Sequence, residues 1–289
     1  MNKKIIIGTA NFNYKYGISN FKFKKKELKF VLFKNLLKKK INYFDTSFDY
    51  KLTNNFLKDI KFENSKIITK FSLPKTKIDV YLRNFEKKII EQKILYKISS
   101  FEAILFHNVL DLKSVYSEKI LKILFELKKK GIIKKIGVSI YSPDDLKVVF
   151  SKFNPDIVQI PINIFDQRLL KSKWLKVIKK NKILVQARSI FLQGSLVKNL
   201  SRSNRINMNI ELINKIKKFQ NWCDKKKISR VDACVIFIKN INFIDHIVLG
   251  IDSNKDLNEI LKALNKRRKI DVEEFSTLNQ NLIDPRKWK

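Results

Sequence analysis

Glycine and proline are scarce in this chain, with six and five residues in 289. That excludes collagen-like, proline-rich and flexible low-complexity architectures. The two cysteines, Cys223 and Cys234, lie in helical-looking sequence and match neither a zinc spacing nor a disulfide framework, so two buried thiols are expected and no metal site. No apolar run reaches the roughly 18 residues that a membrane span requires. The apolar part of the N-terminus, Ile5-Ile6-Ile7, is too short for a secretory signal, and a cytoplasmic protein is expected. Neither GxGxxG nor GxxxxGK occurs, so any nucleotide is held without a glycine-rich phosphate loop.

Acidic residues are also short, with 27 Asp and Glu against 62 Lys and Arg, for a formal net charge of +35. A basic stripe would suggest nucleic acid or an anionic membrane. Here the lysines spread along the whole chain, on what read as helix faces, with an excess of Ile, Asn and Phe. The coding bias of an A+T-rich genome accounts for that combination better than a nucleic-acid surface does. No aromatic-interleaved basic motif supports RNA binding. Neither a nucleic-acid nor a membrane partner is expected.

What the chain does have is a regular alternation of short apolar runs and longer amphipathic ones. Strands are expected at 5–7, 42–44, 66–71, 101–106, 132–138, 157–160, 183–187 and 244–249. Helices are expected at 24–39, with Leu28, Val31, Leu32 and Leu36 on one face, and at 54–60, 78–95, 115–129 and 143–150. Further helices are expected at 167–179, 209–226, 231–239 and 255–264. Strict alternation implies a parallel sheet, and eight such units over this length fit a single (β/α)₈ TIM barrel spanning 1–289. The scarce glycines support that frame: Gly8, Gly137, Gly194 and Gly250 stand at or just past strand ends, whereas Gly131 marks a turn.

Catalytic groups of a (β/α)₈ barrel come from the C-terminal ends of its strands. The stretch Ile41-Asn42-Tyr43-Phe44-Asp45-Thr46-Ser47-Phe48-Asp49-Tyr50 places Asp45 at such an end and Tyr50 in the loop beyond. Lys70 ends the third strand, His107 follows the fourth, and Ser139, Gln159 with Asn163, and Arg188 with Ser189 follow the next three. Asp45, Tyr50, Lys70 and His107 form a chemically coherent set. A nearby ammonium favours the phenolate, so Lys70 makes Tyr50 a better acid, and Asp45 keeps Lys70 charged and oriented. A neutral His107 hydrogen-bonds the substrate oxygen. The set can protonate a developing alkoxide but holds no redox group, so the hydride must come from a nicotinamide cofactor. His246, inside the last strand, reads as structural.

Several segments, in order, resemble the aldo-keto reductase family. They are Gly8-Thr9-Ala10 with Tyr16-Gly17-Ile18, Asn42 through Thr46, Ile68-Thr69-Lys70-Phe71 and Leu105-Phe106-His107. Further on come Gly137-Val138-Ser139, Val158 through Asn163, Ala187-Arg188-Ser189 with Gln193-Gly194, and Ile247-Val248-Leu249-Gly250. The resemblance implies a (β/α)₈ barrel that binds NAD(P)H without a Rossmann fold, and a catalytic tetrad at Asp45, Tyr50, Lys70 and His107. It implies that Ser139 and Gln159 hold the nicotinamide carboxamide and that Arg188 stacks on the nicotinamide. It also implies that Ser189, Gly194, Gly250 and Ser253 line the pyrophosphate and adenosine end, flanked by Asp256 and Glu259.

Three positions depart from the family pattern. Lys51-Leu52-Thr53-Asn54 follows Tyr50 where many members have Gly-Xaa-Ser-Glu, Ile140 follows Ser139 in place of Asn, and Asp256 stands where NADP-preferring members often carry a basic residue. The expected cofactor is NADPH, with NADH as the alternative. The expected reaction is reduction of a small polar aldehyde or ketone, with a keto-sugar or sugar nucleotide as a candidate class, in a monomer or weak dimer. A cofactor-binding barrel that has lost turnover is the alternative function, and the altered loop after Tyr50 is its motive.

Overall fold

The computed structural model describes residues 4–12, 26–50, 64–200 and 208–288. Eight parallel strands close into a barrel in chain order: β1 (Lys4–Gly8), β2 (Tyr43–Asp45), β3 (Lys66–Phe71), β4 (Ala103–Phe106), β5 (Ile136–Ser139), β6 (Ile157–Pro161), β7 (Leu184–Arg188) and β8 (His246–Leu249). β8 returns to pair with β1, Ile5 opposite Ile247 and Ile7 opposite Leu249, so no strand edge is left open.

Side chains on a strand point alternately to the two faces, and this sorts every strand into an inner and an outer set. Ile6, Tyr43, Ile68, Ala103, Leu105 and Ile157 form a small cluster in the barrel interior, with Leu184 and Val248 against it. Their neighbours Ile7, Phe44, Ile67, Phe71, Ile104, Phe106 and Val158 belong to the larger core between barrel and helices. The lower end of the interior is polar: Lys66 Nζ donates to the Tyr43 hydroxyl at 2.9 Å, and the His246 ring lies 6.0 Å from that of Tyr43. His246 is thus far from the catalytic end and structural, as expected.

The helices cover the barrel through their apolar faces. They are α1 (Lys26–Lys38), α2 (Ile78–Arg83), α3 (Phe85–Leu95), α4 (Ser117–Lys129), α5 (Leu146–Phe150), α6 (Trp174–Lys180), α7 (Ile210–Lys225), α8 (Arg230–Lys239), α9 (Asn254–Asn265) and α10 (Gln280–Ile283). In α4, Ile120, Leu121, Leu124 and Leu127 are buried. α8 is buried from Asp232 to Ile238, and α9 packs against it. In α1 the buried face is Leu32, Phe33 and Leu36, while Val31 is half-exposed, so Phe33 takes the place expected for Val31. Cys223 and Cys234 are free, buried thiols, and burial pushes the Cys223 thiol up to about 12.

Other expected boundaries shift for local reasons. The helix read across 78–95 breaks at Asn84, whose side-chain amide donates to the Val80 carbonyl at 2.9 Å. The helix expected from Gln167 begins only at Trp174, because the Gln167 amide is spent on the Ile164 and Val272 carbonyls. The strand expected from Ile132 starts at Ile136, leaving a single bridge between Phe101 and Ile133. The helix expected at 54–60 and the loop beginning at Lys51 lie outside the described residues. Where glycine would usually end a helix with a left-handed residue, this chain often uses lysine: Lys40, Lys97, Lys182 and Lys227 all have positive φ.

Gly137 is required by close approach. A Cβ there would lie 2.2 Å from the Ile157 carbonyl oxygen and 2.7 Å from Leu105 Cδ2. Gly137→Ala is expected to lower unfolding stability by about 1–3 kcal/mol or more, as overpacking does in closed cores. Urea unfolding monitored by circular dichroism reads it; an unchanged midpoint would show that β5 and β6 can spread without cost.

Candidate active site

The step of two residues along each strand carries the apolar interior into a polar upper layer. Tyr43 leads to Asp45, Ile68 to Lys70, Leu105 to His107, Ile157 to Gln159 and Leu184 through Gln186 to Arg188. These upper residues, apart from Gln186, line one cavity of 420 Å³ at the C-terminal end of the barrel, together with Tyr50, Ser139 and Gly250.

Lys70 stands at the centre of this layer. Its Nζ lies 2.5 Å from Asp45 Oδ1, and both side chains are almost wholly buried. Asp45 Oδ2 accepts from Gln159 Nε2 at 2.9 Å, and the same amide nitrogen donates to Gln186 Oε1 at 3.1 Å. The carboxylate is therefore fixed through both oxygens. Burial pulls the Lys70 ammonium below its usual value, the Asp45 carboxylate opposes that shift and the Arg188 guanidinium adds to it. A lysine with a loosened proton at the head of a barrel suits proton handling.

The chain beyond β2 continues along β3. Thr46 N–H donates to the Ile68 carbonyl and Phe48 N–H to the Lys70 carbonyl, and a turn then closes with Tyr50 N–H on the Ser47 carbonyl at 3.1 Å. That turn sets Tyr50 over the Lys70 end of the barrel. The Tyr50 ring meets the His107 ring edge to face, with centroids 6.2 Å apart. The His107 backbone is fixed by its amide N–H, which donates to the Phe71 carbonyl at 2.8 Å. All four residues expected to form the catalytic set therefore line one cavity.

The same turn brings a residue the sequence reading did not assign. Asp49 Oδ2 lies 3.4 Å from His107 Nδ1, 3.0 Å from the Ser72 hydroxyl and 3.2 Å from the Ser47 hydroxyl. Partial burial pushes the Asp49 carboxyl up, but hydrogen bonds from His107 and Ser72, the His107 charge and the Ser47 hydroxyl bring it net below its usual value. Its contribution to stability is therefore present above the ordinary carboxylate range and is lost as pH falls through the folded-state value. Its place one residue before Tyr50 was the only available signal.

The residues expected on the nicotinamide side line the same cavity. Ser139, at the end of β5, pairs in register with Gln159 in the middle of β6. With its amide nitrogen spent on Asp45 and Gln186, Gln159 offers a ligand its oxygen. Arg188 Nη2 donates to the Ile140 carbonyl at 3.0 Å and Nη1 to the Ser189 hydroxyl at 3.2 Å. Its Nε is buried with no hydrogen-bond partner among the described residues. Ser189, Leu192, Gln193 and Gly194 all have positive φ, a concentration of strained backbone in one cavity-lining loop. Asn163 holds this loop, donating to the Ser189 carbonyl at 3.2 Å. Gly250 lines the cavity, but Ser253 does not: its hydroxyl accepts from Asp256 N–H at 3.1 Å and caps α9.

Three further features had no sequence signal. Tyr141 is sandwiched between two guanidiniums, with Arg188 Cζ 4.3 Å and Arg286 Cζ 3.3 Å from its ring centroid. Arg286 is held against the ring by Asp284, through Nε at 2.9 Å and Nη2 at 2.5 Å. The end of the chain therefore closes over the mouth of the barrel; the sequence left open whether it did so or packed beneath. Lys198 and Asp252 bridge the loops after β7 and β8 at 2.7 Å.

The polar layer should behave as a coupled unit. Asp45→Asn leaves the Lys70 ammonium buried without its counter-charge and is expected to cost about 3–5 kcal/mol. Adding Lys70→Met should recover much of that loss, because an uncharged pair removes the uncompensated charge. Additive losses in denaturant titrations of the single and double variants would contradict the coupling.

The profile described as the Aldo/keto reductase family matches residues 4–283. No curated protein matches the chain. Among solved structures, the aldo-keto reductase AKR11C1 from Bacillus halodurans (holo form) superposes with a TM-score of 0.73 at 15% identity, covering 96% of this chain and 90% of that one. The glycerol dehydrogenase AKR11B4 from Gluconobacter oxydans gives a TM-score of 0.71 at 17% identity, covering 93% and 88%. The thermostable aldo-keto reductase Tm1743, in complex with the inhibitor epalrestat, gives 0.65 at 17% identity, covering 93% and 92%. With the profile running from β1 through α10, the chain belongs to the aldo-keto reductase family of NAD(P)H-dependent oxidoreductases.

Proposed function

We propose that the protein reduces an aldehyde or ketone with Tyr50 as the proton donor. The observation that carries this reading is the wholly buried Lys70–Asp45 ion pair in the same cavity as Tyr50 and His107. Reduction adds hydride to the carbonyl carbon, moves the π pair onto oxygen and needs one proton at that oxygen. When bound, the nicotinamide supplies the hydride. Tyr50 donates the proton, the Lys70 ammonium stabilises the phenolate left behind, and Asp45 keeps the ammonium in place. His107 binds the substrate oxygen. The residues fit the cofactor by their donor set: the Ser139 hydroxyl and Gln159 oxygen suit a carboxamide, and the buried, unpartnered Arg188 Nε faces no protein acceptor.

The adenosine end favours one dinucleotide. Asp252, Asp256 and Glu259 line the cavity there, and among the described residues Lys198 pairs with Asp252 at 2.7 Å. Three carboxylates repel a 2′-phosphate and can accept from ribose hydroxyls. This lining favours NADH, reversing the order expected from the sequence. At the opposite rim, Arg286 and Arg188 around Tyr141 make a flat cationic wall. That wall suits a substrate with an anionic part beyond its carbonyl, in keeping with a sugar-nucleotide or acidic keto-sugar class.

Oxidation of the reduced dinucleotide over a carbonyl panel tests the chemistry. Tyr50→Phe is expected to lower kcat by about 10²- to 10⁴-fold with dinucleotide binding retained; equal rates would remove Tyr50 from its role. The ratio of kcat/KM for NADH over NADPH should exceed one in the wild type and fall below it in Asp256→Arg. Arg286→Ala should raise KM for anionic carbonyl substrates and leave neutral ones nearly unchanged. A uniform rise for both would make the wall structural.

A further inference from the structure

Asp49 occupies a position that the aldo-keto reductase tetrad leaves unassigned, and its carboxylate faces the inner nitrogen of His107. An ionised carboxylate has no hydrogen to give, so the 3.4 Å approach of Asp49 Oδ2 to His107 Nδ1 becomes a hydrogen bond when the proton is on Nδ1. The Ser72 hydroxyl holds that carboxylate at 3.0 Å, and Ser47 Oγ, whose one proton is shared between Asp49 Oδ2 and the Lys70 carbonyl, accepts from the Asp49 N–H at 3.2 Å, so the turn is built around it. The net lowering of the Asp49 carboxyl keeps it ionised at neutral pH.

We propose that Asp49 is a positioning residue that fixes His107 with its proton on Nδ1, so that neutral His107 presents a lone pair, not an N–H, to the substrate oxygen. The inference rests on the reading that His107 binds that oxygen. It changes the neutral donor expected from the sequence. With one proton, His107 accepts from an alcohol O–H and cannot donate to a carbonyl. With two, its Nε2–H donates to the carbonyl while Nδ1–H stays on Asp49. The pocket thus favours the carbonyl when His107 is charged and the alcohol when it is neutral. The other groups near His107 do not supply this selection. Asp111, on the turn after β4, acts on it only through charge and spends an oxygen on Leu73 N–H at 3.1 Å. Tyr50 meets it through the ring edge, Tyr81 of α2 interacts with Asp49 and Asp111, and Lys70 is committed to Asp45.

The sequence contains two histidines, so the tautomer can be read directly. Long-range ¹H–¹⁵N spectra of the resting protein assign His107 by comparison with a His246→Asn variant. Where that variant does not fold, His107→Gln gives the assignment by loss of a signal. With His107 neutral, the wild type is expected to show a protonated-type shift at Nδ1 and a lone-pair-type shift at Nε2. In Asp49→Ala the Nε2–H form, which neutral imidazole prefers in water, should dominate. Asp49→Glu should restore part of the Nδ1–H population. Carbonyl reduction by the wild type should fall with rising pH, and in Asp49→Ala this fall should flatten. A wild type already in the Nε2–H form, or a tautomer unchanged in Asp49→Ala, would overturn the proposal. The spectra need no turnover. A tautomer switch without carbonyl reduction by any variant would therefore refute the functional reading and leave the role of Asp49 standing.

Discussion

The upper half of this barrel depends on one charge with nowhere to go. Lys70 stands near the end of a strand whose preceding inward residue, Ile68, is part of the apolar interior, so its ammonium emerges in the cavity wall almost wholly buried, with little water to solvate it. Burial of an unpaired ammonium is prohibitive, and Asp45, on the neighbouring strand, makes it tolerable. Asp45 is then held by Gln159, and Gln159 by Gln186, so four strands share one polar network. Ion pairs this deep are weak sources of stability. What this one provides is a fixed charge in the cavity that Tyr50 also lines, the arrangement on which the proposed proton transfer rests.

The second constraint is strand register. Because inward and outward residues alternate, a slip by one position would send Lys70, Asp45 and Gln159 into the helical layer and bring Thr69, Phe44 and Val158 into the cavity. The register pairs Asp45 with Ile68 and Ser139 with Gln159, and closure by β8 on β1 leaves no free edge to slide. The turn from Ser47 to Tyr50 extends this order above the strands. Its backbone follows β3, and its side chains reach across to His107.

Much of this was legible in the sequence, for physical reasons. Strand periodicity and alternation with helices name the barrel, because a buried parallel strand must be apolar on both faces until the chain leaves the core. Asp45, Lys70, His107, Ser139, Gln159 and Arg188 stand where those apolar runs stop, so location and chemistry could be read together. Asp49 could not, because an acidic residue in a turn is usually solvated, and only folding shows that its carboxylate meets an imidazole 58 positions later. The stacking of Arg286 on Tyr141 joins residues from distant parts of the chain with no periodic signal. Ser253, which the family resemblance placed at the adenosine end, is used by the fold as the cap of α9, accepting from Asp256 N–H. The break at Asn84 and the late start of α6 came from side chains competing for backbone carbonyls, which hydrophobic periodicity does not register.

The account stands on the claim that Lys70, held by Asp45, supports proton transfer and not dinucleotide binding. Single-turnover reduction in Lys70→Met, with dinucleotide affinity measured by fluorescence on the same protein, tests it most directly. The predicted result is affinity within a few-fold of wild type and a turnover rate lower by about 10²- to 10⁴-fold. Turnover at the wild-type rate, or a loss confined to dinucleotide binding, would contradict it.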